Sequence, residues 1–266
     1  KKVYDLPQAG RTARGKPIVN LLPLEEGERI NAVLSVREFD HDHYVFFATT
    51  SGTVKKTPLS EFSRPRPSGI IAIDLRDGDQ LVNVELTHGR CDIMLFTDAG
   101  KALRFAETEV RDVGRSACGV RGIRLDDGQK VIALIVVGEG AVLTVTENGY
   151  GKRTPVDDYP RRSRGGQGVI AIQTSERNGR LIGAAQVESD HEIMLITDGG
   201  TLVRTRVGEI SLVSRNTQGV KLISLQGGEK LTGVEKIESI GEGDGGDASA
   251  DDEAGLDVGE AGGENA

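Results

Sequence analysis

A repeat of about 50 residues runs through this chain and limits what it can fold into. The segment Asp92-Ile93-Met94-Leu95-Phe96-Thr97-Asp98 returns 100 residues later as Glu192-Ile193-Met194-Leu195-Ile196-Thr197-Asp198, and the only two methionines are the equivalent pair. Halfway between lies Ala141-Val142-Leu143-Thr144-Val145-Thr146, and one step upstream Val45-Phe46-Phe47-Ala48-Thr49. Each run ends at a turn glycine: Gly52, Gly100, Gly149 and Gly200, at intervals of 48, 49 and 51. Ser-Gly, Ala-Gly, Asn-Gly and Gly-Gly are short-hairpin signals, because positive φ is cheapest for Gly and Asn. Returning strands are predicted over 53–57, 101–105, 150–154 and 201–205.

A second series interleaves with the first. Gly15, Gly69, Gly119, Gly168 and Gly219 each open a short apolar stretch, such as Gly69-Ile70-Ile71-Ala72-Ile73. A polar turn (Asp77-Gly78, Asp127-Gly128, Asn178-Gly179) then leads to another apolar strand, as at 81–86 and 131–137. One unit therefore holds four short strands, and the chain carries four units plus the opening half of a fifth. Leu6 falls in register with Phe62, Val110, Tyr159 and Ile210. The chain thus opens on the end of a unit and, without an initiator Met, reads as a piece of a longer array whose first unit lies upstream. A unit this small cannot bury both faces of its sheet, whereas stacked units bury one another. The expectation is an all-β, propeller-like disc. Loops at equivalent places then share one rim, so a feature repeated in each unit becomes a ring.

Composition supports many short strands: 36 glycines, ten aromatic residues and no Trp. Two cysteines, Cys91 and Cys118, cannot make a disulfide scaffold or a four-ligand zinc site, and their scarcity fits a reducing compartment. No apolar run reaches the length of a membrane span, and Lys1-Lys2-Val3-Tyr4 does not begin a signal peptide. The net charge of -8 is unevenly placed, since nine acids and no base lie in 241–266. The rest holds 33 basic against 32 acidic residues. Two regions are expected: a folded body over 1–237 and a disordered acidic tail over 238–266, too poor in apolar side chains to repay its ordering entropy.

The stretch before each second-series glycine is basic. The residues are Arg11, Arg14 and Lys16, then Arg64 and Arg66, then Arg115 with Arg121, then Arg161, Arg162 and Arg164, then Arg215. The returning strands add Lys55, Lys56, Lys101, Arg104, Lys152, Arg153, Arg204 and Arg206. A single loop Arg is ordinarily a solvated surface charge. Recurrence gives these weight: five Arg-bearing loops at equivalent positions would form a positive belt. The planar Arg fork matches phosphate oxygens. Aromatic platforms for single strands are lacking, so duplex DNA held by its phosphates is the expected partner.

Signals for catalysis are weak. His41, His43, His88 and His191 lack metal-ligand spacing, and His41-Asp42-His43 sits in a polar turn. Gly149-Tyr150-Gly151-Lys152-Arg153-Thr154 ends like a phosphate-binding loop, but Thr146 stands where the upstream glycine is needed. Gly241-Glu242-Gly243-Asp244-Gly245-Gly246 lies in the acidic tail with no strand before it. No catalytic or metal-binding residue is assigned.

Four runs carry a family resemblance: Arg11-Thr12-Ala13-Arg14-Gly15-Lys16-Pro17-Ile18-Val19-Asn20-Leu21, Gly119-Val120-Arg121-Gly122-Ile123-Arg124-Leu125, Asn148-Gly149-Tyr150-Gly151-Lys152-Arg153-Thr154 and Arg215-Asn216-Thr217-Gln218-Gly219-Val220. The body resembles the C-terminal domain of bacterial DNA gyrase A, in which an acidic tail also follows. The resemblance implies a six-bladed β-pinwheel, here with about five of the repeats. It implies non-sequence-specific wrapping of duplex DNA around a basic rim, with a positive crossing that lets the ATP-driven type IIA topoisomerase introduce negative supercoils. Bending DNA costs several kcal/mol, which many phosphate contacts must offset. The implied partners are duplex DNA, the rest of gyrase A and, through it, gyrase B in an A2B2 assembly, at the bacterial nucleoid in the cytoplasm. ATP and Mg2+ belong to the whole enzyme, and no cofactor is expected in this fragment, which should be monomeric and membrane-free.

Two departures accompany the resemblance. The family's basic-glycine box, of the Gln-Arg-Arg-Gly-Gly-Arg-Gly type, belongs to a first blade that this chain lacks. Arg161-Arg162-Ser163-Arg164-Gly165-Gly166-Gln167-Gly168 is a degenerate copy in a later unit, expected to touch DNA while the fragment wraps less completely. The family's catalytic Tyr lies in a separate region, and Tyr4, Tyr44, Tyr150 and Tyr159 match no such motif. The alternatives are the corresponding C-terminal domain of topoisomerase IV, which selects DNA without full wrapping, and a propeller that binds proteins.

Overall fold

The computed structural model describes residues 1–237 except Ala9, Arg11, Thr12 and Glu26. Arg11 and the tail expected over 238–266 therefore lie outside the described residues. Fifteen strands follow one another in four groups. The first group is β1 (Tyr44–Thr49), β2 (Thr53–Pro58) and β3 (Leu81–Thr87). The second is β4 (Asp92–Thr97), β5 (Lys101–Ala106), β6 (Val120–Arg121) and β7 (Val131–Val136). The third is β8 (Ala141–Thr146), β9 (Tyr150–Pro155), β10 (Val169–Ile170) and β11 (Leu181–Val187). The fourth is β12 (Glu192–Thr197), β13 (Leu202–Arg206), β14 (Val220–Lys221) and β15 (Leu231–Ile237).

The hairpins form where the repeat predicts them. Three residues join β1 to β2, with Gly52 at φ 81° and its N–H donating to the Thr49 carbonyl. This is a tight turn closed by a left-handed residue, which favours Gly. The third long strand of each unit pairs antiparallel with the other side of the hairpin's first strand, as Val45 opposite both Thr57 and Leu86.

The expected four-stranded unit is corrected in one respect, because the short strand joins the neighbouring sheet. The sheets run β3-β1-β2-β6, β7-β4-β5-β10, β11-β8-β9-β14 and β15-β12-β13. Each of the first three takes its fourth strand from the following unit. A 3-10 turn after the hairpin (Glu107–Glu109, Val156–Asp158 or Val207–Glu209) redirects the chain. The basic loop then carries it back to the preceding blade. It docks on the turn glycine, where the N–H groups of Gly122 and Ile123 both donate to the Gly52 carbonyl. Ala171 and Ile172 bond Gly100 in the same way, and Leu222 and Ile223 bond Gly149.

The blade count is corrected too, to four sheets rather than about five blades. Before Tyr44 the described residues form only the 3-10 turns Val3–Asp5 and Ile18–Asn20, and the stretches at 15–21 and 69–73 are not strands. The reason is the same exchange. A second-series stretch becomes a strand by pairing with the hairpin of the preceding unit, and the described residues of 1–43 form no hairpin.

The first three blades are covered on both faces, so their first strands are buried on both sides and read as unbroken apolar runs, whereas β12 is buried on alternate residues. Phe46 and Ala48 face Ile93, Leu95, Leu103 and Phe105 of the second blade. Met94 and Phe96 point the other way, to Val142, Val156, Tyr159 and Ile172. Ile193 and Leu195 meet Leu143 and Val145. Alternate side chains thus serve alternate interfaces, as the pleat dictates. Phe96 and Tyr159 meet edge to face at 6.2 Å. The segment around Ala32, Leu34 and Val36 covers the other face of the first blade, at Val45, Phe47 and Val84. The third strands β3, β7, β11 and β15 lie successively side by side, giving the propeller-like course.

Candidate nucleic-acid interface

The basic loops are laid end to end. Asp74 N–H donates to the Ala117 carbonyl at 3.4 Å, Arg124 to Gly166 at 2.9 Å and Gln173 to Thr217 at 2.9 Å. In each case the stretch following one basic loop bonds the basic loop of the next unit. The loops therefore form one connected course across the blades.

Within this course the structure sorts the basic residues into three groups. Lys55 and Lys152 are fully buried. They occupy equivalent places on β2 and β9. Lys55 Nζ donates to the carbonyls of Ala72, at 2.7 Å, and Arg115. Lys152 Nζ donates to the carbonyls of Ser214, at 2.7 Å, and Arg215. Burial, helped by the neighbouring guanidinium of Arg115 or Arg215, pushes both ammonium groups down to about 8. These lysines hold the basic loops from beneath and present no charge to solvent. They are buried because both faces of the returning strand are covered, so an inward Lys has only main-chain carbonyls to satisfy it.

A second group latches blade to blade. Arg104 pairs with Asp92 at 2.8 Å and reaches the carbonyls of Val156 and Tyr159. Arg153, its equivalent, bonds the Ile210 carbonyl at 2.8 Å, the Gly208 carbonyl and Ser189 Oγ. Lys56 lies over the Tyr44 ring at 4.8 Å and 4.0 Å from the buried Glu107. The loop residues Arg115, Arg164 and Arg215 also bond main-chain carbonyls of neighbouring elements. Arg161 is drawn back to Asp92 of the preceding unit at 3.4 Å, while Lys101 pairs with Asp126 at 3.0 Å and Arg204 with Glu192 inside their own units.

The third group faces solvent without an ion pair among the described residues: Arg14, Lys16, Arg64, Arg66, Arg121, Arg162 and Arg206. These charges are free to meet a polyanion. Sequence reasoning missed the acids Asp92, Glu107, Asp126 and Glu192 and the main-chain carbonyls that hold the rest. It also missed the inward lysines, although a signal was present. The same hairpin position reads Lys55, Leu103, Lys152 and Val203 in successive units, and a site that takes Leu and Val is a core site.

A family model described as "DNA gyrase C-terminal domain, beta-propeller" matches residues 2–37, 43–88, 92–138, 141–188 and 191–238. The chain is 60% identical over 237 residues to DNA gyrase A of Salmonella typhimurium, covering 89% of this chain and 27% of that protein. It is 54% identical over 264 residues to DNA gyrase A of Escherichia coli K12, covering 97% and 30%. The chain thus spans less than a third of the length of these relatives. Among solved structures, the C-terminal domain of DNA topoisomerase IV superposes with a TM-score of 0.83 at 28% identity, covering 89% of this chain and 74% of that one. The DNA gyrase A C-terminal domain superposes at 0.76 and 25% identity, covering 85% and 76%. Family model, relatives and superposed structures agree, and the chain belongs to the DNA gyrase C-terminal domain family of β-propellers.

Proposed function

We propose that this domain binds duplex DNA without reading its sequence and wraps it along the connected course of basic loops. The carrying observation is that course itself. Free guanidinium groups at Arg64, Arg66, Arg121 and Arg162 recur on loops that hydrogen-bond one to the next. Charges spaced along a turning surface suit a bent polyanion, because each neutralised phosphate releases counterions and helps offset the bending cost. Lys55 and Lys152 serve the surface indirectly by fixing its loops. Arg104 and Arg153 do so by fixing the angle between blades.

In the whole enzyme the wrap would have positive handedness and feed a crossing to the DNA-cleaving part of gyrase A. ATP turnover on gyrase B of an A2B2 assembly would then drive negative supercoiling at the bacterial nucleoid. The domain itself contributes binding and geometry, and the chemistry belongs elsewhere. A second reading, a DNA-selecting domain of the topoisomerase IV kind, draws on the superposition at TM-score 0.83.

A topological assay separates them. The chain is bound to relaxed circular DNA, a type I topoisomerase relaxes it again, protein is removed and the linking number counted across a salt series. A stoichiometric positive shift that fades with salt supports wrapping. Binding without a shift favours the second reading. No binding overturns both.

A further inference from the structure

The three occupied blade junctions satisfy one loop arginine differently. Arg115, Arg164 and Arg215 each stand four residues before a second-series glycine. At the third junction Arg215 Nε donates to the Asp158 carbonyl at 2.6 Å. At the second, Arg164 Nε donates to the Glu109 carbonyl at 3.2 Å, and its main-chain N–H to the Glu109 carboxylate. At the first, Arg115 Nη1 reaches the Ile71 carbonyl at 3.0 Å, but its Nε is buried without a partner. The residue equivalent to Asp158 and Glu109 is Glu61. The turn that carries it, Leu59–Phe62, is one residue longer than the others, and the Glu61 carbonyl does not meet Nε.

An unpaired buried N–H on a guanidinium is costly and asks for an acceptor. Beside it opens a cleft of about 580 Å³, lined by Arg64, Arg66, Arg115, Glu61 and the main chain at Gly69 and Gly114. The guanidinium groups of Arg64 and Arg66 make no ion pair among the described residues. A side chain on Gly69 or Gly114 would meet nothing within 4 Å, so the main chain there is open to a ligand. Three guanidinium groups against one carboxylate leave the cleft positive. At the other two junctions Arg164 and Arg215 already meet main-chain carbonyls through Nε, and Arg161 is drawn to Asp92.

The geometry points to this cleft as a seat for one backbone phosphate of bound duplex DNA, held by the Arg115 guanidinium and closed over by Arg64 and Arg66. This rests on the DNA-binding reading above and adds a fixed point to it. The first junction is where the duplex is registered on the rim. Elsewhere the contacts are exposed and interchangeable. Phosphodiester and free phosphate share the same oxygen chemistry, so the test carries both.

The test uses the full 266-residue chain and the 1H–15N signals of arginine Nε groups, with Arg115→Lys identifying the Arg115 signal by its loss. Titration with a 30-base-pair duplex should move the Arg115 signal to saturation and leave that of Arg215 in place. The double variant R64A/R66A should lower the salt slope of DNA binding by about 0.9, one phosphate's worth. The affinity ratio between 50 and 200 mM salt would then shrink about 3- to 4-fold. E61Q should tighten binding. A duplex that binds while the Arg115 signal stays still and the slope of R64A/R66A is unchanged overturns the seat and leaves the wrapping reading standing. In a parallel arm inorganic pyrophosphate replaces DNA. If it moves the Arg115 signal and the duplex does not bind, the cleft takes free phosphate, and both the DNA seat and the wrapping reading fall.

Discussion

Lys152 Nζ lies 2.7 Å from the carbonyl oxygen of Ser214, 62 residues further along the chain, and both the ammonium and the loop it holds belong to the blade interface. Lys55 makes the equivalent clamp under the loop at Arg115. A charged group is thus used as an internal fastener beneath a surface that carries the same sign of charge. The arrangement has a measurable pH signature.

Burial lowers Lys152 to about 8 in the fold against an ordinary 10.5. Between these values the unfolded chain binds the proton more fully than the native one. Stability from this group therefore rises as pH climbs from about 8 to 10.5, and below 8 the cost of the buried charge is present in full. Lys152→Met removes the effect. The difference in unfolding free energy, parent minus variant, should grow over that window in paired urea titrations at pH 7, 8, 9 and 10. A difference flat with pH would mean that the ammonium keeps its ordinary affinity for protons.

Gly149 turns its hairpin at φ 81° and is also the dock for the next unit's strand. An added Cβ would lie 2.7 Å from the Ile223 carbonyl and 3.0 Å from its Cγ2. Gly200 has a similar φ, 82°, with nothing within 4 Å of that position. Gly200→Ala should cost only the left-handed strain, about 1–2 kcal/mol. Gly149→Ala adds a clash with main chain and should cost ~3 kcal/mol or more. Chemical denaturation of the two variants separates conformation from crowding, because only the crowding differs.

The two methionines make a similar pair. Met94 is fully buried between the second and third blades, while Met194, its repeat equivalent, is partly exposed on the face where no further blade packs among the described residues. Met94→Ala should cost about 2–5 kcal/mol, the range for a core truncation with a residual cavity. Met194→Ala should cost about 1 kcal/mol or less. Equal losses would mean that Met194 is covered in solution.

These contrasts mark how far sequence reaches. Hairpins were legible because their signals are local: a glycine at fixed spacing and an apolar run of strand length. Strand exchange was not. Val120-Arg121 is two residues long, and its pattern is the same whether it pairs with β5 of its own unit or with β2 of the unit before. The rim was legible as recurring Arg but not as a set of free charges. Arg161 and Arg104 both turn to Asp92, and that acid sits 12 residues before the nearer of them. Lys55 and Lys152 looked like surface charges because a strand Lys usually points to water. Here both faces of the strand are covered, and there is no outer face for it to occupy.

The same sorting predicts which basic residues govern DNA affinity. Arg14, Arg121, Arg162 and Arg206 are exposed and bear no ion pair among the described residues. Each contact with a phosphate contributes about 0.9 to the slope of log K against log salt. Replacing all four with Ala should therefore lower that slope by up to about 3.6, with little change in Tm, since surface substitutions remote from packing usually cost under about 0.5 kcal/mol each. Lys152→Met should do the reverse: lower stability and leave the slope close to that of the parent, because its charge never reaches the duplex. Filter-binding or fluorescence titrations over 50–300 mM salt, read beside melting curves, decide the matter. A slope that falls with Lys152→Met and not with the four-fold variant would move the interface off the basic loops altogether.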